Sequence, residues 1–182
     1  MVTAACVGGL LLGAVGCTAA PTPAPRSATP TVASIFASDE EALAAATEAY
    51  ANYLRVSDEI LMSGGEYPER IEEVTSAQMA ESEIEGYLGA QEQKFRSTGG
   101  SAFSNLTIQH VAIGQESEGV VTAYVCSDVS GVDVFNEDGE SVVAANRPDR
   151  TPFEVTFDLA DASATRLVVA SATVWNGAGV CI

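Results

Sequence analysis

The sequence predicts an α+β domain in which N-terminal helices pack on a curved antiparallel sheet. Three observations predict it. Apolar residues recur at helical spacing as far as Gly99-Gly100, and beyond that pair the period becomes that of strands rich in Val, Ile, Thr and Tyr. The strand-like runs are separated by short Gly-bearing turns, so the sheet meanders, and helices grouped ahead of such a sheet make an α+β layout. No internal repeat is visible, and 182 residues are roughly enough for one domain with one core.

The chain opens with an apolar or small run, Ala4 to Gly16. It is shorter than the roughly 20 residues of a spanning helix and suits the core of an export signal. The run stops on "AVGC", Ala14 to Cys17. These four residues resemble the lipobox of bacterial lipoproteins, in which small residues precede a cysteine that is diacylated and becomes the new N-terminus. The resemblance implies a signal peptide over 1–16, a lipid on Cys17 and a partner in the lipid bilayer, at the outer face of the cytoplasmic membrane. No Lys or Arg precedes the run although export signals open with positive charge, so further residues are expected upstream. Residues 17–37, rich in Pro, Ala and Thr, read as a disordered linker: Pro favours extended backbone and little is there to bury. The composition has an actinobacterial style.

The folded part is expected over 38–182. Ser38 with Glu41 three residues on forms a capping pattern, and Leu43, Ala46, Tyr50, Tyr53, Leu54 and Leu61 give one long amphipathic helix that stops at Gly64-Gly65. Pro68 sits at the first position of a short second helix. A third carries Met79, Ile84, Tyr87, Leu88 and Phe95 up to Gly99-Gly100. Strands follow in "NLTIQHVAIGQE" and "GVVTAYVCSDVSGVDVFN", with a hairpin turn between Gly114 and Gly119. Asp138-Gly139 marks a tight turn, and Phe153, Val155, Phe157 and Leu159 alternate with polar residues before a last strand ending at Trp175.

Helices followed by a curved sheet of about four strands resemble the NTF2-like (SnoaL-like, cystatin-like) superfamily, in which a bent sheet wraps a long helix into a cone. The similarity extends to uncharacterised actinobacterial lipoproteins ending in a "VW…G…C" tail, here Val174, Trp175, Gly177 and Cys181. It implies a pocket at the cone mouth, which some members use for dehydratase or isomerase chemistry and others for ligands, dimers or partner peptides.

Charge narrows the function. Lys and Arg number 8 against 25 Asp and Glu, a formal net charge of -17. Such a surface repels phosphate backbones, so nucleic acid is not an expected partner, and a polybasic membrane contact is excluded. With Cys6 in the signal and Cys17 lipidated, Cys126 and Cys181 remain and are expected to pair, as leftover cysteines in exported chains do. The loop they close, about 55 residues, restricts the unfolded chain by roughly 4 kcal/mol.

His110 is the one histidine, and its near-neutral titration suits a general base. Strand parity puts it on a face with Ile108 and Ala112, and puts Tyr124, Cys126 and Asp128 on another; if these faces coincide, His110, Tyr124 and Asp128 line one cavity. The plainer alternative is a His at a sheet edge. Glu66, Glu69, Glu72, Glu73, Glu81, Glu83 and Glu85 meet only Arg70 and read as a solvated helix face, and no metal-binding spacing is present. Trp175 is expected to pack beside the disulfide. No hydrolase, phosphate-loop or dinucleotide motif appears and no cofactor is expected. The expected role is a binding or interaction module at the cell envelope, its partner an envelope protein or a small hydrophobic ligand. The alternatives are a small isomerase- or dehydratase-like enzyme and a structural protein that dimerises.

Overall fold

A computed structural model describes residues 35–112, 119–161 and 165–182. The expectations for the signal, for Cys17, for most of the linker and for the Gly114 side of the hairpin turn lie outside the described residues.

The folded part begins earlier than the linker reading allowed. Phe36 is buried in the core and Ile35 packs against it, so the two apolar residues next to the helix cap belong to the domain. Helix α1, Asp39–Met62, starts where Ser38 Oγ accepts the Glu41 N–H at 3.2 Å and Glu41 Oε2 accepts the Ala37 N–H at 2.7 Å. Its buried stripe is Ala42, Ala46, Ala49, Tyr50, Val56 and Ile60, while Leu43 is exposed. Alanines on that stripe let the sheet approach the helix axis closely. The helix ends as Gly64 and Gly65, both at positive φ, turn their N–H groups back on Leu61 and Ile60. A Cβ on Gly65 would lie 2.3 Å from the Tyr87 carbonyl oxygen, so this turn has no room for a side chain.

The short second helix is a 3-10 helix, Pro68–Glu73. Helix α2, Ala77–Glu92, is capped by Ser76 Oγ. It ends before Phe95: Lys94 takes a left-handed conformation and the Phe95 N–H returns to Ala90, which directs the chain into strand β1, Arg96–Thr98. The third predicted helix therefore ran past its true end, because a helix-spaced Phe hid the turn.

The main sheet contains β2 (Ala102–Val111), β3 (Val121–Asp128), β5 (Arg150–Leu159) and β6 (Leu167–Val174) in that spatial order, all antiparallel. β4, Asp133–Phe135, leaves it to pair with β1 in a separate two-stranded sheet. Register shifts in β2 and between β5 and β6 mark bulges, which bend and twist strands. The inner face presents Val121, Ala123, Val125, Val155, Phe157 and Val169 to α1, and each large apolar side chain buried there stabilises the fold by about 1.5–3 kcal/mol. A second cluster, Val56, Ile60, Ile71, Ala80 and Tyr87, joins α1 to the 3-10 helix and α2. β6 is tied to the start of α2: the Val169 N–H donates to Val74 and the Ser76 N–H to the Val169 carbonyl. No helix among the described residues is long and apolar enough to cross a membrane.

Candidate functional site: a groove beside helix α1

The three sequence candidates share the outer face of the sheet, turned away from α1. His110 pairs with Thr122, whereas Ile108 pairs with core-facing Ala123, so the bulge at Gln109 reverses the parity that had put His110 with Ile108. His110 is exposed there. Tyr124 lies two residues from Thr122 along β3 and Asp128 six, which separates Tyr124 from Asp128 by about 13 Å and His110 from Asp128 by about 20 Å at strand rise. The structure does not bring the three side chains within hydrogen-bond reach of one another. Ser130 donates its hydroxyl (2.6 Å) and its N–H (2.9 Å) to Asp128 Oδ1, and Arg150 stands 3.7 Å away, which together hold the Asp128 carboxyl below the usual carboxylate range. Burial and neighbouring Glu154 push the Tyr124 phenol up. Both shifts move away from the neutral range that acid–base work requires.

A C-terminal strap crosses this outer face. The Trp175 N–H donates to Pro152 on β5, Cys181 is disulfide-bonded to buried Cys126 on β3 with Cα atoms 5.0 Å apart, and Asn105 Nδ2 on β2 donates to the Val180 carbonyl at 3.1 Å. Arg150 completes the fastening, donating to the Ile182 carbonyl and to Ser104 Oγ. Asn105 sits at φ 55 in the first bulge of β2, and its side chain is engaged in holding the tail. Trp175 stacks on Tyr124 at 4.4 Å between ring centroids. Its indole also leaves no space over Gly177, where a Cβ would lie 2.3 Å from Nε1. The partners of Trp175 are thus a ring on β3 and the strap itself.

Sequence reading missed the groove between α1 and the start of β2. Ala51, Leu54, Arg55, Asp58, Glu59 and Met62 recur along one side of α1, and Ser101, Ala102 and Phe103 close the other wall, around a volume of about 460 Å³. Leu54, Met62 and Phe103 supply apolar surface; Phe103 is fixed from behind by an edge-to-face contact with buried Tyr50 at 5.0 Å. The charged groups are held in place. Asp58 accepts the Ser101 N–H and hydroxyl, both at 2.8 Å, and clamps the entry to β2 onto the helix. Glu59 accepts from Arg55 at 2.9 Å and from Arg70, whose guanidinium groups, Arg70 first, lower its carboxyl pKa. The signal in the sequence is the spacing 51, 54, 58, 62, a second stripe beside the core stripe; the Asp58–Ser101 contact, 43 residues apart, has no local signature.

Between α1 and α2 lies a polar knot. The Tyr87 hydroxyl donates to Glu83 Oε2 at 2.8 Å and lies 2.9 Å from Ser57 Oγ, and the Tyr53 hydroxyl donates to Glu83 Oε1 at 3.2 Å. Burial pushes both phenols well up, Glu83 adding to it. No group of three or more metal-ligating side chains occurs among the described residues. No family model matches the chain, and no curated protein matches it.

Proposed function

We propose that this chain is a lipid-anchored extracytoplasmic protein of NTF2-like architecture whose domain is a binding module, taking a small, largely apolar ligand in the groove between α1 and β2. The observation that carries the reading is the groove. Its volume falls in the roughly 300–1,000 Å³ of small-ligand sites, its walls are mostly apolar, and its few charged groups are fixed by partners within the protein. The NTF2-like assignment is supported by a long helix lying against a four-strand meander in chain order. Export is supported by the Cys126–Cys181 disulfide, a bond of oxidising compartments. The acyl chains on Cys17 hold the protein at the membrane, and the linker gives the domain its reach.

Native mass spectrometry of the full protein extracted from its own membranes tests this. The expected spectrum carries the mass of an acylated Cys17 and a retained small molecule that is lost from Ala51→Trp, whose exposed position lets the indole fill the groove without touching the core. A wild-type protein that never retains a molecule, or an Ala51→Trp variant that retains it undiminished, removes the groove as the site. A Cys17→Ala protein still bound to membranes removes the anchor.

A further inference from the structure

The acidic segment read from the sequence as a solvated helix face loses Arg70 in the folded chain, while Arg166, just before β6, donates to the Glu73 main-chain carbonyl at 3.1 Å. Arg70, expected among the glutamates, reaches Glu59 on α1 instead, and Glu83 is held by Tyr53 and Tyr87. Beside them the 3-10 helix and α2 form a trough of about 490 Å³ lined by Glu72, Ala77, Ala80, Glu81 and Ile84. Its floor is one stripe of α2 at spacing i, i+3, i+7, and the carboxylates of Glu72 and Glu81 flank that stripe. Among the described residues neither carboxylate has a hydrogen-bond or ion-pair partner. An apolar floor between two free carboxylates is the complement of one kind of side chain, with an aliphatic stem and a cationic head.

We infer that this trough is a docking site for a basic segment of a partner protein, one Lys or Arg of which lays its stem over Ala77, Ala80 and Ile84 and places its head between Glu72 and Glu81. The surrounding charge favours such a partner, since the whole chain carries -17 and a cationic segment is drawn toward it before contact. The apolar floor converts that general attraction into a defined seat.

The test uses the full protein with isotope-labelled methyl groups, a short peptide of alternating alanine with arginine and lysine, and the same peptide with glutamine at each cationic position. The expected result is saturable shifts centred on the Ala77, Ala80 and Ile84 methyls with the basic peptide and none with the glutamine peptide. Glu72→Gln with Glu81→Gln should weaken binding by about fivefold or more at low salt while Tm is retained, because both side chains are exposed. Glu40→Gln with Glu92→Gln, the same change in net charge elsewhere, should leave the affinity within about twofold. Non-saturating shifts over the whole acidic surface, equal weakening by the two double variants, or equal binding of the glutamine peptide would each overturn the proposal.

Discussion

The two faces of the main sheet are secured in different ways. The inner face presents Val121, Val125, Val155, Phe157 and Val169 to α1, and its stability comes from removing apolar surface from water. The outer face presents Thr122, Tyr124, Thr156 and Ser171, with Thr156 and Ser171 joined by a 2.6 Å hydrogen bond, and is crossed by a strap fastened through a disulfide, an Asn amide and an Arg. Non-directional burial suffices where a helix can cover the sheet. Where the cover is the short segment 175–182, covalent and directional contacts do the fastening.

The largest way to break this contrast is Phe157→Ala, which empties a fully buried position on the inner face. It should destabilise the domain by about 3–5 kcal/mol, read as a lower denaturant midpoint and a weakened near-ultraviolet spectrum. Replacing both Cys126 and Cys181 by Ala acts on the outer face alone. The loss should be at most about 4 kcal/mol, and hydrogen exchange should show Val180 to Ile182 losing protection while β3 and β5 keep theirs. An equal loss of protection in β3 would mean that the strap organises the sheet as well as crossing it.

Alkaline titration sharpens the comparison, because tyrosines lie on both sides. Tyr53 and Tyr87 on the helical side have pKa values raised above the ordinary 10, so the folded protein holds their protons more tightly than the unfolded chain does. Their contribution is complete below pH 10 and is lost as pH rises from there toward the folded values, at about 1.4 kcal/mol per pH unit for each phenol. Tyr87→Phe should flatten the fall of Tm above pH 10 more than Tyr124→Phe does, since Tyr124 is only part-buried. The smallest effect is expected from Gly177→Ala: its Cβ meets the indole of Trp175, and the adjustment should cost about 1 kcal/mol, seen as a small drop in Tm and a change in Trp fluorescence.

What was legible in the sequence were features with local causes. Ser38 caps α1 through its own next turn, Gly64-Gly65 stops α1 by its φ, and Phe153 to Leu159 alternate because β5 has one dry face. The Cys126–Cys181 bond followed from a count of cysteines. Other features have distant causes. The bulge at Gln109 moves His110 to the opposite face from Ile108, since one inserted residue inverts every side chain after it. β1 exists only because β4, far along the chain, pairs with it. The groove depends on Asp58 meeting Ser101, and the trough on Arg70 turning away toward Glu59, neither of which periodicity can show.

The strap also sets an order in time. The strands of the main sheet lie side by side in chain order, so β2, β3, β5 and β6 can be laid down in the sequence in which a ribosome makes them. Cys181 lies beyond β6, and it finds Cys126 only when all four strands of this sheet have been made. Until then Cys126 waits as a thiol on a sheet that must hold together without its fastening. Oxidation of this pair is therefore a timestamp, recording that the segment beyond β6 has arrived.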